Sequence, residues 1–158
     1  MKSVTLGTVA LLTMVAPARG QQVPFAEPTP SSGQIDPAAL PGLGDLMILT
    51  QLRHIKLWYA GKAGNWELVN YELDRIVESL GKAAVLYRNI PVEYILAADG
   101  PLTDMRGAVK AKDSGRFNGA YSALTSACNA CHAGAGIGFV RLQTPTNSPL
   151  NDQIYSAD

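Results

Sequence analysis

The residue spacing near the end of the chain is the feature that most restricts its fold. Phe117, Tyr121, Leu124, Cys128 and Cys131 follow one another at steps of four, three, four and three residues. An α-helix turns once in about 3.6 residues, so this spacing places all these side chains along one face of a helix. The sequence contains only 2 cysteines, and both lie in this pattern. The spacing therefore predicts a helix that carries both thiols on its inner face, near its C-terminal end.

Three earlier stretches also show helical spacing. Gly61 and Gly64 end the first, Asn65 is a good N-cap for the second, and Pro101 suits the first turn of the third. We find no internal repeat and no persuasive strand, so we predict an all-α fold, an antiparallel four-helix bundle. The apolar positions that we expect to face the core are Leu43, Met47, Leu49, Leu52, Ile55 and Trp58 in the first helix, Trp66, Val69, Leu73, Ile76 and Leu80 in the second, and Leu102, Met105 and Val109 in the third.

The first 20 residues have the pattern of a secretory signal peptide. Lys2 gives a basic start, residues 4–16 are almost entirely apolar or small, and small residues follow Pro17. We expect cleavage after Gly20, with a second possible site at Ala16 and Ala18. A membrane anchor is the alternative, but a spanning helix needs about 20 apolar residues and this run is shorter. The predicted organisation is a signal peptide at 1–20, a Pro-rich flexible arm at 21–41, the bundle at 42–135 and an irregular tail at 136–158.

The charge of the mature chain excludes some partners. Removal of the signal takes Lys2 and Arg19 from the 13 basic side chains and leaves 11 against 13 acidic ones. No basic stripe is present, so we expect no nucleic acid partner. No second long apolar run is present, so we expect no membrane span in the mature chain. On the second helix, we expect Glu72, Asp74 and Glu78 to form the solvent-exposed face.

The stretch CNACH, at positions 128–132, carries the chemistry. Cys-x-x-Cys-His is the attachment sequence of a c-type haem. Residues three apart share a helix face, so Cys128 and Cys131 can each add to a vinyl group of one porphyrin. His132 can then offer its imidazole to the iron from one side of the ring. The motif predicts one covalent haem c, attached outside the cytoplasm, in agreement with the signal sequence.

Two other uses of these residues compete with haem attachment. A redox disulfide between Cys128 and Cys131 normally lies at the start of a helix in a βαβ context, and no strand precedes it here. A zinc site is the other reading, with both cysteines and both histidines as ligands. Adjacent Cys131 and His132 are awkward ligands for one tetrahedral ion, and the usual second ligand pair is missing.

With a late CNACH motif after three helical stretches, the chain resembles the cytochrome c′ group and its relatives. These are exported four-helix-bundle cytochromes with one haem near the end of the fourth helix. The resemblance covers roughly residues 42–135 and implies thioether links at Cys128 and Cys131 and proximal iron ligation by His132. Cytochromes c′ end soon after the motif, whereas this chain continues to residue 158, so its tail is able to fold over the haem edge.

The opposite face of the iron has three candidate occupants. In an up-and-down bundle the start of the first helix lies beside the end of the fourth, so Met47 is near the level of His132 and ranks first. His54 lies two turns further along the same face, and a lone histidine there needs a partner, so it is the alternative ligand. The third possibility is an open distal site.

Two functions follow from these alternatives. A six-coordinate iron favours an electron carrier that docks a redox partner protein, and this is the function that we expect. An open site favours a gas-binding or gas-scavenging protein of cytochrome c′ type with a small gas ligand, and a homodimer is a further possible assembly. We do not expect an enzyme, because the peroxidase-like pair Arg53 and His54 point about 100° apart on a helix. Arg53 is expected at the surface, with a haem propionate as its alternative partner.

Overall fold

The computed structural model describes residues 40–87, 90 and 92–157, and in these ranges the chain is helical with no β-strand. Its helices are α1 (Leu43–Lys62), α2 (Trp66–Leu86), α3 (Val92–Leu96), α4 (Asp99–Ala111) and α5 (Ser114–Gly134). Within that part of the chain, no helix is both long and apolar enough to cross a bilayer. The predicted signal peptide at 1–20 and nearly all of the predicted arm at 21–41 lie outside the described residues.

The four long helices pack as two hairpins. α1 lies against α2 and α4 against α5, while α2 also contacts α4 and α5 contacts α1. Tyr121 and Thr125 of α5 meet His54, whereas Phe117, earlier in α5, meets Gly61, later in α1. α1 and α5 are therefore antiparallel, and the predicted all-α four-helix bundle is confirmed. The short helix α3, which the sequence did not predict, leans on α5.

Aromatic side chains fix α5 against α1. Phe117 and Tyr121 are fully buried, and the ring of Trp58 contacts both of them. Trp66 approaches Phe117 edge-on, with ring centroids 6.1 Å apart. The ring of Phe117 lies directly on the backbone of Gly61, which has no room for a side chain. Burial of each large apolar side chain contributes roughly 1.5–3 kcal/mol, so this layer anchors the helix that carries the cysteines.

Local capping sets the ends of α2, α4 and α5. The side chain of Asn65 accepts a hydrogen bond from the backbone N–H of Leu68 at 3.0 Å, so the predicted N-cap of α2 is confirmed. Lys112 adopts a left-handed conformation with φ of 51° and ends α4. Asp113 then caps α5 by accepting from the N–H of Arg116 at 3.0 Å. The connection between α4 and α5 is therefore very short, which makes the two helices antiparallel neighbours.

The buried face of α1 differs from the predicted one. Leu49 is 57% exposed, and Leu52 and Ile55 are only half-buried. Thr50 and His54 occupy the core side of α1 instead. These polar side chains can be buried because they form hydrogen bonds there, as described below for His54. The buried residues of α1 are Thr50, His54, Leu57, Ala60 and Gly61.

One acidic residue of α2 is also placed differently from the prediction. Glu72 is 1% exposed, and its carboxylate lies 3.1 Å from Arg53 and 4.0 Å from Lys56, both on α1. The prediction of a solvent-exposed Glu72 is therefore wrong, because two cations of the neighbouring helix compensate its burial. Asp74 and Glu78 remain partly exposed, as expected for that face.

The tail after α5 follows the surface of the bundle. In this tail, the ring of Tyr155 packs against the ring of Tyr59 in α1, with centroids 5.5 Å apart. The carbonyl of Ser156 accepts a hydrogen bond from the side chain of Asn65 at 3.2 Å. Residues 150–154 and α1 border a groove of about 670 Å³. The tail thus reaches from the end of α5 to the connection between α1 and α2 at the other end of the bundle.

Candidate functional site

Cys128 and Cys131 lie one helical turn apart near the end of α5, and both are free thiols. Cys128 packs against the hydrophobic core, and burial raises the pKa of its thiol to about 11. The pKa of the half-buried Cys131 is also raised, first by burial and then by the negative charge of Glu93. Redox-active Cys-x-x-Cys cysteines have lowered pKa values and lie at helix N-termini. These two thiols have the opposite properties, which disfavours the disulfide reading.

His132 is oriented by a backbone carbonyl. Its Nδ1 lies 2.7 Å from the carbonyl oxygen of Val140. A carbonyl oxygen only accepts hydrogen bonds, so Nδ1 carries a proton, and in the neutral ring the lone pair is then on Nε2. A histidine that ligates a metal through one nitrogen characteristically donates the other N–H to a carbonyl or carboxylate, which fixes the ring and raises its basicity. His132 therefore has the hydrogen-bonding state that an axial ligand requires.

A Schellman motif ends α5 directly after the histidine. Gly136 has φ of 75°, a left-handed conformation that glycine adopts without strain. The N–H of Gly136 bonds to the carbonyl of Ala133 at 3.1 Å, and the N–H of Ile137 bonds to the carbonyl of His132 at 2.9 Å. These are the two hydrogen bonds of the Schellman arrangement. The turn reverses the chain, so that Val140 returns to the last turn of α5.

Asn129, inside the motif, holds the returning chain. Its side-chain Nδ2 donates to the carbonyl of Leu142 at 2.9 Å, and its Oδ1 accepts from the N–H of Leu142 at 2.8 Å. One side chain thus satisfies both backbone groups of a residue in an irregular segment. The segment 137–142 is tied to α5 at both ends, and we call it the strap.

Apolar side chains are exposed beside the motif. They come from α3, whose Tyr94 packs on Gly134 at the end of α5, and from the strap. Phe139 is 84% exposed and Leu96 is 60% exposed. The full set is Val92, Leu96, Ile137, Phe139 and Val140.

The residues present fit a covalently held haem. Two free thiols share one helix face, an oriented imidazole follows them, and apolar surface lies beside them for a large flat ring. In residues 40–87, 90 and 92–157, no three His, Cys, Asp or Glu side chains gather in a way that would hold a bare metal ion. A haem iron takes four ligands from the porphyrin and needs only one or two from the protein. One imidazole is therefore enough for a haem and insufficient for a zinc site.

His54 is hydrogen-bonded at both ring nitrogens inside the bundle. Nε2 of His54 lies 2.9 Å from the hydroxyl of Thr125, and Nδ1 lies 2.9 Å from the hydroxyl of Tyr121. Each hydroxyl also lies within hydrogen-bonding distance of a backbone carbonyl, that of Tyr121 for Thr125 at 2.9 Å and that of His54 for Tyr121 at 3.0 Å. Burial lowers the pKa of His54 to about 4, so the ring is neutral. Iron ligation by His54 stays a prediction, and it requires that the hydrogen bond at the ligating nitrogen breaks.

Met47 is half-buried and continues the face of α1 that carries Thr50 and His54. In α5, positions 121 and 125 lie opposite His54. Both helices rise by about 1.5 Å per residue in opposite directions, so a residue seven positions before His54 falls opposite a position near 130 of α5. This register agrees with the expected height of Met47 relative to the motif. Ligation by Met47 also stays a prediction.

Arg53, the other half of the peroxidase-like pair, contacts a different part of the molecule. Its guanidinium bonds to Glu72 of α2 at 3.1 Å, whereas His54 contacts α5. The two side chains therefore do not converge on one site. The expectation that the protein is not an enzyme stays a prediction.

Comparison with known proteins adds no assignment: no family model matches the chain, and no curated protein and no solved structure is significantly similar to it. The function is therefore argued from the site itself.

Sequence reasoning identified the motif but not the residues that support it. Asn129 and Val140 have no local signal, because their partners lie in a segment without periodicity. Gly136 was the one available indication, since a glycine just after a helix is typical of the turn found here.

Proposed function

We propose that the protein is an exported c-type cytochrome with one covalently bound haem, and that it acts in electron transfer. Cys128 and Cys131 are the attachment residues, and His132 is the proximal iron ligand. The observation that carries the proposal is the state of His132, directly after the second of the two cysteines: its Nδ1–H is donated to Val140, and its Nε2 has no hydrogen-bond partner among the residues that the structure describes.

Attachment requires only the two thiols and two vinyl groups. The sulfur of each cysteine would bond to one vinyl carbon and the thiol hydrogen would pass to the other, so a C–S and a C–H bond replace the S–H bond and the π bond, and the two carbons remain joined by a single bond. No oxidant or reductant is consumed. Because Cys128 and Cys131 both belong to α5, the helix holds the two sulfur atoms at the separation of one turn. The bound haem supplies the electron-accepting iron.

Electron transfer is the role that we favour, because the antiparallel packing of α1 and α5 supports Met47 as the distal ligand. A thioether ligand stabilises ferrous iron and raises the reduction potential. Export is supported by the signal-like pattern of residues 1–20 and by the chemistry of the motif. A redox partner protein is the expected partner.

A gas-binding protein with an open distal site is the second candidate. The hydrogen bonds of both ring nitrogens of His54 support it, because they remove the strongest alternative ligand from the distal side. A low-spin ferric spectrum supports electron transfer. A high-spin spectrum with rapid carbon monoxide binding supports the gas-binding function.

Intact mass analysis tests the proposed haem attachment. The chain is produced with its N-terminal segment in a host that has the c-type maturation machinery. We expect the mass of the polypeptide plus one haem, retained after acid–acetone extraction. A chain with Cys128→Ser and Cys131→Ser is the matched control and should lose the retained haem. A haem-free mass, or a mass two hydrogens lower from a disulfide, would contradict the proposal.

A further inference from the structure

We propose that Asn129 is a positioning residue, which holds the strap so that the carbonyl of Val140 keeps the proximal histidine in its ligating state. The inference rests on the proposed function, because His132 matters as an iron ligand. It assigns a role to the variable position directly after the first cysteine of the motif. It also implies that the segment after the motif influences the iron through the hydrogen bond between His132 and Val140.

The amide of Asn129 is suited to this task by its chemistry. Its two hydrogen bonds run in opposite directions to one residue, with Oδ1 accepting from the N–H of Leu142 at 2.8 Å and Nδ2 donating to the carbonyl at 2.9 Å. Only a side chain with both a donor and an acceptor can make this pair. The contact fixes the position and the rotation of Leu142, two residues from Val140.

Few interactions other than those of Asn129 fix the orientation of the Val140 carbonyl. The Val140 side chain is 40% exposed, so packing does not anchor it. The N–H of Val140 bonds to the carbonyl of Ile137 at 2.8 Å, and Ile137 is itself tied to the carbonyl of His132. These bonds fix the first half of the strap, and Asn129 fixes the second half. Without Asn129, the peptide group after Val140 is free to turn its carbonyl toward solvent.

The carbonyl in turn controls the histidine. A hydrogen bond from Nδ1–H to a carbonyl makes Nε2 a stronger donor to iron and sets the plane of the ring. A stronger donor favours ferric iron over ferrous iron. Loss of the strap therefore weakens the donor and raises the reduction potential of the haem. Substitution of such outer partners typically lowers metal affinity or activity by 10–100-fold in other proteins.

The test compares Asn129→Leu, which has a similar shape and no polar group, with Ser126→Ala. Ser126 is a suitable control because it is exposed, lies one turn earlier on α5 and, within the described part of the chain, has its side-chain hydrogen bond to Ser122 of its own helix. Asn129→Gln keeps the amide, so it should change the two measurements described below less than Asn129→Leu does. Asn129→Ala is the second variant if Asn129→Leu does not fold.

Two measurements on the haem-loaded chain decide the proposal. Hydrogen exchange at the Leu142 amide should accelerate at least 10-fold in Asn129→Leu and stay unchanged in Ser126→Ala. The reduction potential, measured by spectroelectrochemistry, should rise in Asn129→Leu alone. If the Leu142 amide loses protection while the potential stays constant, Asn129 holds the tail but does not position His132, and the proposal fails. Unchanged exchange at Leu142 also overturns it.

A parent chain without haem would end the proposed function but would still test the strap. The nitrogen-15 shifts of His132 report which ring nitrogen carries the proton. The haem-free parent should show the Nδ1–H tautomer, and Asn129→Leu should shift the population toward Nε2–H. The same tautomer population in parent and variant would refute the positioning role.

Discussion

The buried histidine makes the stability of the bundle depend on pH in a calculable way. His54 is 4% exposed, and its ring nitrogens bond to the hydroxyl groups of Thr125 and Tyr121 in the interior of the bundle. Burial lowers its pKa from 6.5 to about 4. In the unfolded chain the same ring has its ordinary pKa. Between about pH 6.5 and pH 4, the unfolded chain therefore binds one more proton at this site than the folded chain.

The sign and the size follow from this difference. A lowered pKa in the folded state leaves stability intact above the unfolded pKa and removes it as the pH falls. One pKa unit corresponds to about 1.4 kcal/mol, so the free energy of unfolding should drop by about 3 kcal/mol between pH 6.5 and pH 4 from His54 alone. Above pH 6.5 His54 should contribute no pH dependence.

Urea unfolding followed by far-ultraviolet circular dichroism measures this effect. The parent and His54→Gln are compared at several pH values between about 7.5 and 4.5. Glutamine does not titrate, so the difference between the two chains isolates His54 from the carboxylates, which titrate in both. The advantage of the parent over the variant should shrink steadily as the pH falls. If the two curves run parallel, His54 is not the buried neutral group described here.

Four further substitutions have defined outcomes. Gly61→Ala should lower the free energy of unfolding by about 1–3 kcal/mol in urea melts, because the new methyl group meets the ring of Phe117; Gly81→Ala, in open space, should raise it by up to about 1 kcal/mol. Met47→Ala should convert low-spin iron to high-spin iron and admit carbon monoxide, as judged from absorption spectra; an unchanged spectrum would exclude Met47 as the ligand. His132→Ala should retain covalent haem at a lower yield while the nitrogen ligand is lost, so a spectrum identical to that of the parent would show that another residue binds the iron.

Helical periodicity predicted the long helices well, because each buries a regular face over several turns. It failed on the inner face of α1, where the chain places Thr50 and His54 in the core and leaves Leu49 largely exposed. A prediction based on the spacing of apolar residues assigns every polar residue to the surface. The hydroxyls that satisfy His54 come from Tyr121 and Thr125, far away in sequence, so no local window reveals them.

In the candidate site, too, some residues could be predicted from the sequence and others could not. Cys128, Cys131 and His132 were recognisable because their chemistry depends on spacing along the chain. The strap was not, because the bonds of Asn129 and of the histidine ring reach residues in an irregular segment. Hydrogen bonds between a helix and a loop leave no period in the sequence.

The ion pair between Arg53 and Glu72 bears on which arrangements of α1 and α2 the chain can adopt. The hydrophobic core of the bundle includes aliphatic side chains of both helices, such as Leu57 and Leu73, and packing between aliphatic groups has no directional requirement. A slip of α2 that separates Glu72 from both Arg53 and Lys56 would leave a carboxylate buried without a cation, at a cost of about 3–5 kcal/mol. The buried charge thus penalises misaligned hairpins and selects one alignment of α1 and α2.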